Sequence, residues 1–269
     1  MTSFARIGDV YELTLDQAPC NEIGLPLLEL LERFASEVAA SDAKAVLIHS
    51  ARPLGFSAGA DLRDLFARMQ ATTDAFAVEA HQFIERIHAV LMQLDALPQT
   101  TFAALHGVCF GGGFELALVC DVLIADRTTR FAFPELRLGL VPGFGGVPRL
   151  RREVPNAVVR DLLMTGRSLS AARAHDLGLV SQLVAPGQAL ATARAAAKAA
   201  CAFDREVQAQ AKAFIKPLLH AELAAERALF LQMLQKPRVR AALAEFVART
   251  DPMPYLPREA AHAQHESKP

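Results

Sequence analysis

Cysteine is scarce in this 269-residue chain. Cys20, Cys109, Cys120 and Cys201 lie far apart and make no C-x-x-C pair. Neither a disulfide scaffold nor a zinc site of paired ligands is expected. Excess charge is missing too: 28 basic residues meet 29 acidic ones, for a formal net charge of −1. A nucleic-acid partner would call for a basic excess or stripe, so none is expected. The apolar runs are too short or too interrupted to span a bilayer, which argues against membrane insertion. The opening MTSFARIGDVYELTL has no basic stretch followed by an apolar one, so no secretory signal is expected. G-x-S-x-G, G-x-x-x-x-G-K-[ST] and H-E-x-x-H are all absent, which removes the usual marks of a serine hydrolase, a P-loop enzyme and a zinc peptidase. These absences point to a reduced, cytoplasmic protein without metal.

Apolar residues are plentiful at 52%, enough for a substantial core. Residues 10–15 (VYELTL) alternate like a half-buried strand, and 44–49 (KAVLIH) read as a buried one. Residues 25–39 carry apolar positions at helical spacing, with Pro26 in the first turn. Residues 51–60 read as a loop, 61–96 as two helices, and 101–106, 122–125 and 130–133 as strands. Strands alternating with helices in this way predict an α/β architecture. From residue 156 onward the pattern reads as all-helical and alanine-rich, with Ser170 a candidate N-cap. The expected division is a core over 1–195, a helical C-terminal region over 196–250 and a flexible tail over 251–269.

Glycine placement carries the chemistry. Gly111-Gly112-Gly113 stands between a strand and a helix, where backbone can approach a ligand and a helix start offers N–H donors. Ser57-Ala58-Gly59-Ala60-Asp61 is a second small-residue loop ahead of a helix. Donors from the two loops aimed at one point would form an oxyanion hole. Glu115 and Glu135 each sit in apolar company. Two carboxyls in differently tuned environments can divide acid and base work. A packing turn, a first-turn acid and a solvated loop acid are the bland readings of the same residues. His81, His88 and His106 read as packing or backbone-bonded residues.

Ser57-Ala-Gly-Ala-Asp-Leu62, His106-Gly-Val-Cys-Phe-Gly-Gly-Gly-Phe-Glu-Leu116, Phe133-Pro-Glu-Leu-Arg-Leu-Gly139 and Pro142-Gly-Phe-Gly-Gly146 stand in an order and spacing that resemble the enoyl-CoA hydratase/isomerase (crotonase) superfamily over roughly residues 8–250. The resemblance implies a spiral core with two roughly perpendicular sheets and C-terminal helices that build a homotrimer or hexamer. It implies an acyl-CoA substrate whose thioester oxygen meets the backbone N–H groups of Ala60 and Gly112. It implies Glu115 and Glu135 as catalytic acids, Gly143 beside the catalytic water, and Ala58, Asp61 and Arg63 at coenzyme A. Leu65, Phe66, Met69 and Phe114 are the expected acyl-pocket residues. Coenzyme A belongs to the substrate, and no further cofactor is expected. The implied activity is syn hydration of a 2-trans-enoyl-CoA. The alternative is a Δ3,Δ2-enoyl-CoA isomerase or another acyl-CoA-processing member. Departures include Val147-Pro148 ahead of Arg149, and Phe246-Val-Ala-Arg249 where members often carry a lysine-rich stretch.

Overall fold

The computed structural model describes residues 1–71 and 76–249; the tail expected over 251–269 lies outside them. The chain opens with strands β1 (Ser3–Ile7) and β2 (Val10–Leu15), then helix α1 (Leu25–Ala40) and strands β3 (Ala45–Ser50) and β4 (Gly55–Ser57). Helices α2 (Leu62–Ala71) and α3 (Phe76–Asp95) lead to β5 (Thr100–Leu105), β6 (Val108–Phe110) and α4 (Gly112–Ala117). After β7 (Val122–Asp126) and β8 (Arg130–Ala132) comes a 3-10 turn, Pro134–Leu138. Next are α5 (Gly146–Glu153), α6 (Asn156–Thr165), β9 (Leu169–Ser170), α7 (Ala171–Asp176) and β10 (Gln182–Val184). The chain then runs through α8 (Ala189–Ala200), α9 (Arg205–Ile215), α10 (His220–Leu234) and α11 (Pro237–Val247).

Six strands form one sheet in the order β1-β2-β3-β5-β7-β10, and four form another in the order β4-β6-β8-β9. The large sheet is parallel from β2 onward, with β1 antiparallel at its edge. Every residue of β3 is buried, as a parallel strand covered on both faces must be. Its alternation divides the core. Val46 and Ile48 join the large cluster that includes α1 and α3, whereas Ala45 and Leu47 meet Ala189, Ala193 and Ala197 of α8. Small residues four apart let that helix lie close on the sheet. Among the described residues no helix is long and apolar enough to cross a membrane.

The structure corrects the sequence reading in three places. The loop over 51–60 contains β4, and the region after 156 contains β9 and β10. These two- and three-residue strands owe their existence to pairing partners, not to local pattern. The boundary drawn at 195 falls inside α8, which packs on the sheet throughout. In the C-terminal helices Leu223, Phe230, Leu234 and Leu243 are buried in the chain's own core. Around α9, Phe203, Val207, Phe214 and Ile215 are exposed, and on α10 so is Leu229. Ser170 does cap α7, accepting the Arg173 N–H.

Candidate active site

Two turns leave the small sheet side by side. The first follows β4, and Asn21 secures it from beneath. Asn21 Nδ2 donates to Ser50 Oγ and to the Phe56 carbonyl, and Ser57 Oγ donates to the Asn21 carbonyl. Ile23 N–H then donates to Gly59 O, while Asp61 N–H donates to Ile23 O. In that bridging pattern the Ala60 N–H faces away from Ile23. The second turn follows β6. Gly111 has φ 50° and ψ −127°, a conformation open only to glycine. Gly113 allows the turns to close up, since a side-chain carbon there would come within 2.6 Å of Ser57 Cβ and its carbonyl oxygen. The same carbon on Gly112 would lie 3.4 Å from Ala60 N. The amides of Ala60 and Gly112 therefore lie next to one another, Gly112 at the first position of α4.

Glu115 is one α-turn further on and almost wholly buried. Its Oε1 accepts N–H bonds from Phe144 and Gly146, both at 2.8 Å. Burial pushes its carboxyl up to about 7, against the pull of those two amides and of Arg149. Glu135 sits in the 3-10 turn, with Oε1 packed on Gly111: a side-chain carbon there would approach it to 2.5 Å. Its Oε2 is buried without a hydrogen-bond partner among the described residues. Burial, with the neighbouring Glu115 carboxyl and that of Glu226, drives Glu135 well above the ordinary carboxyl range. The two acids are thus unlike. One is held by backbone donors, and the other has every reason to keep its proton.

The turn that serves Glu115 is itself braced. Arg149, fully buried, donates to the Phe144 and Gly145 carbonyls at 3.0 and 3.2 Å and to Asp95 at 2.9 Å. His88 Nε2 lies 2.8 Å from the Gly143 carbonyl. Burial lowers His88 to about 4, so the neutral ring donates that bond. Glu226, on α10, accepts the Val147 N–H at 2.9 Å. Sequence reasoning assigned nothing to Asp95 or Glu226, and Arg149 entered only as a motif position. A buried glutamate on an otherwise ordinary helix leaves no local mark.

A cavity of about 50 Å³ is bounded by Ala58, Gly112, Glu115, Glu135 and Gly143 among others. Beside it lies a larger cavity of about 200 Å³ between α2, α3 and α10. Ala60, Leu65, Phe144 and Phe230 line both. The structure therefore brings together Ala58, Ala60, Gly112, Glu115, Glu135, Gly143 and Leu65. Phe66 and Met69 pack with the core and line neither cavity. Phe114 turns away to stack on Phe133, ring centroids 4.9 Å apart, and on Phe131 at 5.0 Å. None of these three residues, expected in the acyl pocket, borders either cavity. The aromatic residues that line the larger cavity are Phe76, Phe83, Phe144 and Phe230.

Asp61 and Arg63 line a further cavity of about 190 Å³. Asp61 Oδ1 caps the start of α2, accepting the Arg63 and Asp64 N–H groups. The Arg63 guanidinium donates to the carbonyls of Val247 and Arg249 and stands 6.0 Å from the Phe246 ring centroid. It ties α2 to the end of α11.

A family model described as enoyl-CoA hydratase/isomerase matches residues 8–253. A Rhizobium meliloti protein named probable enoyl-CoA hydratase is 31% identical over 251 residues, covering 90% of this chain and 93% of that one. A carnitinyl-CoA dehydratase of Salmonella arizonae is 37% identical over 194 residues, with 72% and 71% covered. A 158-residue stretch is 42% identical to the fatty acid oxidation complex subunit alpha of Vibrio campbellii; it covers 58% of this chain but only 22% of that subunit. An enoyl-CoA hydratase from Bacillus halodurans shares the fold, with a TM-score of 0.82 at 22% identity over 91% of this chain and 99% of that one. Pseudomonas aeruginosa DspI matches at a TM-score of 0.74 and 26% identity, covering 99% and 94%.

Proposed function

Because the chain belongs to the enoyl-CoA hydratase/isomerase family, we propose that it adds water across the double bond of a 2-trans-enoyl-CoA to give the 3-hydroxyacyl-CoA. The observation that carries this reading is the contrast between the two buried carboxyls beside one cavity. Glu115, at about 7 and bonded by two amides, can hold a water by its free oxygen and take its proton. Glu135, driven further upward, keeps the proton that Cα must receive. The hydroxyl oxygen bonds to Cβ, the double-bond electrons move toward the thioester, and the amides of Ala60 and Gly112 meet the oxygen that gains charge. One such preorganised donor is worth about 3 kcal/mol of transition-state stabilisation.

Coenzyme A enters as part of the substrate, and the scheme needs no metal or redox cofactor. We extend the reading to a chain that works as a homotrimer or hexamer, on the strength of the apolar side chains exposed around α9. The test is a panel of 2-trans- and 3-enoyl-CoA thioesters followed by liquid chromatography, which separates isomers of equal mass, and mass spectrometry, with EDTA present. A gain of one water on the 2-trans substrates supports hydration. Conversion of 3-enoyl to 2-enoyl thioesters with no mass change assigns the chain to isomerisation, and no change in any thioester overturns the reading.

A further inference from the structure

Glu226 is a buried acid at the start of a helix that it does not belong to. α10 carries it to the start of α5, where Oε2 accepts the Val147 N–H at 2.9 Å. Its Oε1 is buried and has no hydrogen-bond partner among the described residues. The residue before Val147 is Gly146, whose N–H belongs to Glu115 at 2.8 Å. Consecutive amides at one helix start are therefore divided between two carboxyls from different elements. The N-cap of α5, Gly145, has no side chain to satisfy either.

We infer that Glu226 is a positioning residue for the acid pair: its carboxyl, bonded to the amide next to the one that Glu115 accepts, fixes the start of α5 against Glu115 and stands as a third buried acid beside the pair. A purely structural acceptor needs no carboxyl at this place. An amide oxygen would take the Val147 N–H without the desolvation cost of a buried acid. The charged and titratable groups that face Glu226 are few. Glu115 comes from α4, Glu135 from the 3-10 turn and Arg149 from α5. On α3, His88 is bonded to the Gly143 carbonyl and Glu85 is paired with Arg227. The buried residues of α11, Val239 and Leu243, are apolar. Two further carboxyls and one cation thus meet around Glu226, and the buried acids cannot all ionise together. Burial and the Glu115 carboxyl push Glu226 up to about 8, so it is mostly neutral near pH 7 and becomes a like charge to Glu135 above that.

The proposal rests on the hydration reading only in its kinetic arm, so the test has two arms. The first is an infrared titration of protonated carboxyl stretches in the unliganded full chain, comparing wild type, Glu226→Gln and Glu226→Ala. In Glu226→Gln one buried carboxyl signal should vanish, and the Glu135 signal should titrate lower by about half a pH unit or more, because a like charge has been removed. The second arm is the pH profile of kcat on an active thioester. Its alkaline limb, which follows loss of the Glu135 proton, should move to lower pH in Glu226→Gln while its acid limb stays. Glu226→Ala also loses the Val147 acceptor, so it should lower kcat further at every pH. An unchanged Glu135 titration in Glu226→Gln overturns the proposal whatever the enzyme's activity. Shifted titrations without hydratase activity would uphold Glu226 and sink the hydration reading alone.

Discussion

Arg149 Nε donates to Asp95 Oδ2 at 2.9 Å, with both side chains out of contact with water. Lys216 at 3.0 Å and Arg152 at 3.1 Å complete the surroundings of that carboxylate. The other arm of Arg149 holds the Phe144 and Gly145 carbonyls, so the turn that offers its amides to Glu115 hangs on a buried ion pair. Breaking such a pair by removing one partner costs about 3–5 kcal/mol, because a charge is left buried and alone. Asp95→Ala should therefore lose stability of that order in urea unfolding. It should also lower kcat, since the turn loses its anchor. Arg152→Ala, at the rim of the cluster, should cost less on both counts. Equal losses in the two variants would show that the pair does not brace the turn.

Acidity and stability are linked through these groups with opposite signs. Burial alone would raise Asp95, but Lys216, Arg149 and Arg152 outweigh it and hold it at about 2, below the ordinary 3.8. Its contribution to stability is present above pH 3.8 and is lost as pH falls through 2. Glu115 and Glu226 stand at about 7 and about 8 against the ordinary 4.5. A raised value means that the native state binds more protons than the unfolded chain over that interval. Their contribution is complete below 4.5 and is lost as pH rises through 7 and 8. Calorimetry should show Tm falling between pH 5 and 9, and the fall should flatten in Glu135→Gln and in Glu226→Gln. A slope identical in all three proteins would rule out the carboxyl cluster as its source.

What the sequence made legible follows from how local each feature is. Gly111 to Gly113 and Glu115 sit within one turn of helix, so strand, glycines and acid could be read as a unit. Ala60 and Glu135 were legible because each lies in its own short apolar or small-residue context. Glu226 was not. It meets Val147 from 79 positions away, on a helix whose sequence gives no reason to single it out. The placement of Phe114 has a similar origin. Adjacency to Glu115 in sequence suggests the same cavity, but successive helical residues point about 100° apart. Phe114 therefore enters the aromatic core while Glu115 reaches the turn. The strands β4, β9 and β10 needed partners that no local period encodes.

Gly143 has its hydrogen replaced by no larger group for a steric reason. A side-chain carbon there would meet the Phe230 ring at 2.4 Å, and Phe230 is itself buried and lines both cavities. Gly143→Ala should overpack this wall and cost about 1–3 kcal/mol. The displaced ring should raise KM as well, because it borders the space in which a thioester would lie. Adding Phe230→Leu should restore much of the stability, since the smaller side chain gives up the contested volume. Thermal melts of the single and double variants decide the point: no recovery in the double variant would place the strain in the backbone instead of at the ring.

The acids themselves give the sharpest prediction. Glu115→Gln leaves an oxygen able to accept the Phe144 and Gly146 N–H groups, so the turn should stay in place while the base is lost. Glu135→Gln removes the proton that Cα is to receive and leaves a neutral side chain of the same size. Each substitution should lower kcat for hydration by about 10²–10⁴-fold, the usual worth of a general acid or base. KM should move little, because neither carboxyl is expected to hold the coenzyme A portion. The double variant should be far less impaired than the product of the two losses, since groups that act on one water addition fail as a unit. Isomerisation needs only one base. In that case one of the two substitutions would leave most of the 3-enoyl to 2-enoyl conversion intact. Full hydration by Glu135→Gln, measured on the thioester that the wild type turns over best, would therefore eliminate the two-carboxyl mechanism and leave Glu115 as the sole reacting acid.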